Sequence, residues 1–180
     1  MSKSATPYHF IYFVSSHGFG HAARATAVID AVNRLMPGSR FTVFTNVASW
    51  FFESSLDTLV TLERLDVDLG LVQTDALTED LPATLRQLTR RIPFPKSILD
   101  DIAQRVDDLG ADVVICDIAP LGLAVAGHCG VPSVLVENFT WDWIYRGYLA
   151  ACPELEPLAG YLEGVFTQAT YHIQTEPVCS

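Results

Sequence analysis

In the stretch YFVSSHGFGHAARA, residues 12–25, His17 and His21 stand four residues apart, with Gly18, Phe19 and Gly20 between them. Several chemistries suit such a pattern. Glycines after a strand allow a tight turn and a close approach of ligand to backbone, and a following helix offers free N–H groups and a positive dipole end. At that end His21 is expected as a neutral imidazole, able to accept a proton. Residues 18–23 also read G-x-G-x-x-A, the dinucleotide fingerprint. That fingerprint expects an acid about 20 residues on, at the end of the second strand. Here the strand closes on Thr45-Asn46, without a carboxylate. Imidazoles four apart on a helix grip metals, but the two glycines oppose a helix there and no third ligand has suitable spacing. The plain alternative is a tight strand-to-helix turn with incidental histidines.

Positioning these groups falls to the elements around them. Residues 10–15 are a run of β-branched and aromatic side chains, a buried strand. From 22 to 36 apolar residues recur at helical spacing (Ala23, Val28, Ala31, Val32, Leu35), and Pro37-Gly38 stops that helix. A second strand follows over 40–46, a short helix or turn over 47–56, and a third strand over 58–67. Residues 78–109 read as two helices parted at Pro93 and Pro95. The strand ADVVICD, residues 111–117, has the uninterrupted apolar character of one covered on both faces. A small-residue helix over 122–128, a strand over 130–138, helical segments over 141–150 and 155–169, and a short strand over 170–174 complete the chain.

Strands alternating with helices predict an α/β, doubly wound, mostly parallel sheet with right-handed crossovers. In the common order 3-2-1-4-5 the direction reverses between the first and fourth strands, and ligands sit there, beyond the carboxyl ends. The glycine loop and Asp117, almost a hundred residues apart, then face one crevice, with Asn138 one strand further on.

Bulk properties narrow the partners. A chain of 180 residues is one domain or half of a two-domain protein. Its formal charge of −10, with 11 scattered basic residues, disfavours nucleic acid and anionic membrane. The four cysteines show no CxxC pairing, and Cys116 and Cys129 read as buried free thiols, which favours a reducing compartment. The amino terminus lacks a signal-peptide pattern, and the apolar window 118–136 is broken by Gly, His and Pro, so no transmembrane segment is expected and the protein is placed in the cytoplasm. His9, His128 and His172 are assigned to packing, and the tryptophans of WDWIY suit packing anchors as well as a site.

The segments YFVSSHGFGHAARA, ADVVICDIAPLGLAVA and VPSVLVENFTWDWIY together resemble the amino-terminal half of a GT-B glycosyltransferase. They are most like the family-28-like proteins that include the N-terminal domain of plant-type L-arabinokinases. The likeness runs from about Phe10 to Tyr148. The resemblance implies that residues 1–180 form a single Rossmann-like domain holding the acceptor, and that the nucleotide-sugar-binding domain is missing, to be supplied by further sequence or a partner chain. It implies that His21 takes a proton from the acceptor hydroxyl while Asp117 orients it. His17, Gly18, Phe19 and Gly20 would line the cleft, Asn138 and Thr140 would hydrogen-bond a sugar, and Trp141 or Trp143 would stack on one. No cofactor or metal is implied, only a nucleotide-sugar co-substrate of the UDP type. The expected function is the acceptor-binding half of an inverting glycosyltransferase, inactive alone. Its alternatives are a non-catalytic sugar- or nucleotide-binding module of a sugar kinase, or a free-standing nucleotide-binding domain.

Overall fold

Five parallel pairings join six strands into one sheet, in a computed structural model that describes residues 7–179. In chain order the elements are β1 (His9–Val14), α1 (Phe19–Leu35), β2 (Arg40–Phe44), α2 (Ser49–Ser55), β3 (Thr61–Glu63), the hairpin β4 (Gln73–Asp75) and β5 (Thr78–Glu79), α3 (Leu81–Arg91), α4 (Lys96–Leu109), β6 (Val113–Asp117), α5 (Pro120–Cys129), β7 (Ser133–Glu137), α6 (Trp141–Arg146), α7 (Glu156–Phe166) and β8 (Tyr171–Gln174). The strand order is β3-β2-β1-β6-β7-β8, so the reversal lies between β1 and β6, as expected.

Alternation along each strand builds two cores. Phe10, Tyr12 and Val14 of β1 meet Ala22, Ala25 and Ile29 of α1 and Phe52 of α2 on one face. Ile11 and Phe13 meet α3 to α7 on the other. Helix α5 lies so close to the sheet that a Cβ on Gly122 would stand 2.6 Å from both Cys116 Sγ and Phe13 Cγ. The proline break separates α3 from α4, and Asp80 caps α3 by accepting a hydrogen bond from the Ala83 amide at 2.8 Å.

Four expectations are corrected. Helix α1 begins at Phe19 rather than Ala22 and takes Gly20 and His21 into its first turn. Its inner stripe is therefore His21, Ala22, Ala25, Thr26 and Ile29, while Leu35 is 82% exposed. The third strand pairs only over Thr61–Glu63, because the chain then leaves the sheet edge and buries Val67 and Asp68 over its carboxyl end. The hairpin of β4 and β5 was not foreseen: its residues are polar and mostly exposed, so they carry no core signal. Cys116 is buried and free, but Cys129 is only half-buried.

Candidate functional site

Asp117 ends β6 and is fully buried. The next residue, Ile118, has a φ of 45°, a left-handed conformation that a β-branched side chain rarely adopts. This strained turn swings the chain from β6 into α5 and leaves the Asp117 carboxylate at the carboxyl rim of the sheet. In the loop after the neighbouring strand β1, Gly18 sits at the N-cap of α1 with φ 86°, which brings His21 round to face β6.

His21 Nδ1 and Asp117 Oδ1 are 2.8 Å apart. Opposite a carboxylate Nδ1 serves as the donor, and in the neutral imidazole that tautomer leaves the Nε2 lone pair free. Nε2 has no hydrogen-bond partner among the described residues, and the ring packs edge-on to Phe139 at 6.0 Å. Residues almost a hundred apart in sequence thus form one hydrogen-bonded pair over the crevice at the strand reversal.

A third member had not been foreseen. Arg24 donates from Nε to Asp117 Oδ2 at 2.7 Å and from Nη2 to Oδ1 at 2.6 Å, a bidentate fork. Its Nη1 donates to Asn138 Oδ1 and to Thr175 Oγ1, both at 3.0 Å. Burial lowers the pKa of the Arg24 guanidinium, but the hydrogen bond and charge of Asp117 outweigh it and hold the pKa above its ordinary value. The guanidinium so ties α1, β6, the end of β7 and the segment after β8 into one network. A signal for it existed: Arg24 lies three residues after His21, the spacing that shares a helix face. A helix that starts at Ala22 leaves His21 outside it and hides that spacing; one that starts at Phe19 does not.

Asp68 was also missed, and no local pattern marks it. It is buried beside the glycine loop, where Trp141 Nε1 donates to its Oδ2 at 3.2 Å. Burial pushes its carboxyl above the ordinary range, against the pull of a hydrogen bond from Ser15 and the nearby His17. The His17 ring lies edge-on to Trp141 at 5.2 Å and rests on Gly70, where a Cβ would overlap it at 1.8 Å from Nε2.

The remaining expected residues divide. His17 and Asn138 join the cluster, through Trp141 and Arg24. Phe19 turns away from it, stacking on Phe51 at 5.3 Å beside Trp50. Gly20 lies in the first turn of α1, and Thr140 stands half-buried at the N-cap of α6. Trp141 is only 5% exposed, with one face stacked on Tyr145, so its ring faces serve packing, whereas Trp143 is exposed. His9, His128 and His172 bond within the framework, to Thr42, Asp100 and Glu137 respectively. Among the described residues no group of three or more His, Cys, Asp or Glu is placed to hold a metal ion, and no helix is long and apolar enough to cross a membrane.

No known family profile matches the chain. In sequence it is 34% identical over 154 residues to an L-arabinokinase of Arabidopsis thaliana, a match covering 84% of this chain and 14% of that protein. In structure it is similar to a quercetin complex of UGT89C1 from Arabidopsis thaliana, with a TM-score of 0.59, 13% identity, and coverage of 95% of this chain and 44% of that one. It is similar also to the calicheamicin glycosyltransferase CalG4, with a TM-score of 0.55, 14% identity, and coverage of 89% and 43%. The chain therefore spans about a seventh of the arabinokinase and under half of each solved glycosyltransferase.

Proposed function

We propose that this chain, a glycosyltransferase-like Rossmann domain of the GT-B type, is the acceptor-binding half of an inverting, nucleotide-sugar-dependent glycosyltransferase. The observation that carries the reading is the 2.8 Å contact of His21 Nδ1 with Asp117 at the strand reversal, with Nε2 left free. An alcohol or sugar hydroxyl is a poor nucleophile until a base removes its proton as the new bond forms. His21 Nε2 is the base. Asp117 fixes the tautomer and steadies the imidazolium that results, as the carboxylate of a hydrolase triad does. The hydroxyl oxygen attacks the anomeric carbon of the donor, the bond to the nucleotide diphosphate breaks, and the diphosphate departs with the electron pair. A second domain holds the donor, of the UDP-sugar class. Asn138 and Thr140 are the candidate sugar contacts, and His17 lines the same rim.

The test is turnover of UDP-sugar by the chain expressed with whatever sequence follows it in its reading frame. His21→Ala is expected to lower kcat by roughly 10²–10⁴-fold, the usual contribution of a positioned base. His21→Gln, which keeps a polar side chain of similar reach, should be as slow. Unchanged turnover in both variants would remove the base.

One observation favours a second reading, a sugar- or nucleotide-binding module of a sugar kinase with no chemistry of its own. The curated relative is an L-arabinokinase, and Asp117 is already engaged by the Arg24 fork. In that case the same extended protein phosphorylates a sugar, and His21→Ala leaves that rate unaltered.

A further inference from the structure

A cavity of about 580 Å³ opens on the same rim, between the end of β3, the break between α3 and α4, and Leu121 in the first turn of α5. Its volume falls in the range that suits small organic ligands. Leu65, Phe94 and Leu121 give it apolar walls, and Arg64, Arg90 and Arg91 line it as well. Arg91 is engaged: its Nη2 donates to the Asp66 carbonyl at 3.1 Å, and its Nη1 lies 3.7 Å from the Asp66 carboxylate. Asp66 in turn accepts from Asn46.

Arg64 and Arg90 make no ion pair among the described residues. In a chain of formal charge −10, cations ordinarily find carboxylates. Arg24, Arg34, Arg91, Lys96, Arg105 and Arg146 all do so here. Only Arg40, Arg64, Arg86 and Arg90 among the described basic residues do not, and two of these line this one cavity. Guanidinium groups above apolar walls complement a ligand with an anionic head and an apolar body, since the planar fork matches carboxylate and phosphate oxygens. We infer that this cavity binds a small organic anion of that kind, held at its head by Arg64 and Arg90 and along its body by Leu65, Phe94 and Leu121. Its lining shares no residue with the His21–Asp117–Arg24 network, and its occupancy is read by binding, without glycosyl transfer.

Calorimetric titration of the full chain at low salt with phenyl phosphate, benzoate and neutral benzyl alcohol tests the inference. At least one of the two anions should saturate a single site, and which one it is identifies the head group. Benzyl alcohol and inorganic phosphate should each bind at least tenfold more weakly. Arg64→Gln and Arg90→Gln should each weaken the anion about tenfold, the scale of one charge-assisted hydrogen bond. Arg34→Gln, a charge removed at the far end of α1, should not. Raising the ionic strength should weaken binding, because exposed charges are screened. Three outcomes would overturn the inference: no saturable binding of either anion, equal affinity for benzyl alcohol or inorganic phosphate, or indifference to both arginine substitutions.

Discussion

Asp117 is wholly buried and has two partners, with the Arg24 fork reaching both of its oxygens and His21 only one. Deleting the guanidinium leaves a buried carboxylate facing a single imidazole. Arg24→Met is therefore expected to cost about 3–5 kcal/mol, the scale for breaking a buried ion pair on one side, read as a lower urea midpoint. Arg24→Lys should recover part of that loss, because a point charge cannot reproduce the fork. Asp68 presents the opposite electrostatics. Burial raises its folded pKa, so the native state holds a proton more tightly than the unfolded chain. Between the ordinary Asp value of about 4 and that raised value the folded protein binds more protons, and stability falls as pH rises through the window. Asp68→Asn keeps an acceptor for Trp141 and removes the charge. Its stability relative to the unmodified protein should improve from acid pH to neutrality in urea titrations, and a difference that stays flat with pH would refute the argument.

Among the elements, α1 and α5 do most to shape the site. The phase of α1 puts His21 and Arg24 on one face, and that phase is set by a start at Phe19. Helix α5 reaches the sheet only because Gly122 has no side chain to hold it off. A methyl there must displace Cys116, Phe13 or the helix itself. Gly122→Ala should destabilise by about 1–3 kcal/mol, the usual range for overpacking, measured by chemical denaturation. A neutral or stabilising result would mean that α5 can retreat from the sheet freely. The strands and most of the helices were readable in the sequence, since burial on both faces leaves an apolar run and a half-buried helix leaves a stripe. The hairpin was not, because its residues are polar and mostly exposed, and the third strand read longer than the three residues that pair, since apolar residues continue past the sheet edge to Val67.

At the scale of the whole molecule, two cores on opposite faces of one sheet hold a rim that gathers the glycine loop, Asp117 and Asn138. The crevice between β1 and β6 leaves His21 Nε2 without a partner among the described residues, but for a diphosphate that crevice offers only the first turn of α1, Arg24 being tied to Asp117. Residues 1–180 alone are accordingly expected to hold UDP weakly by calorimetry and to release none from UDP-glucose. Brisk release would mean that no second domain is required.

Residue order by itself determined the α/β class, the strand reversal and the meeting of the glycine loop with Asp117. Periodic burial writes such features along the chain, and parallel crossovers leave few ways to connect them. Only the tertiary structure decided that Arg24 shares the carboxylate, that Asp68 sits beneath His17 and Trp141, and that Trp141 lends its faces to packing. Each of these depends on side chains brought together across long separations, where distance and burial select partners that no local spacing records.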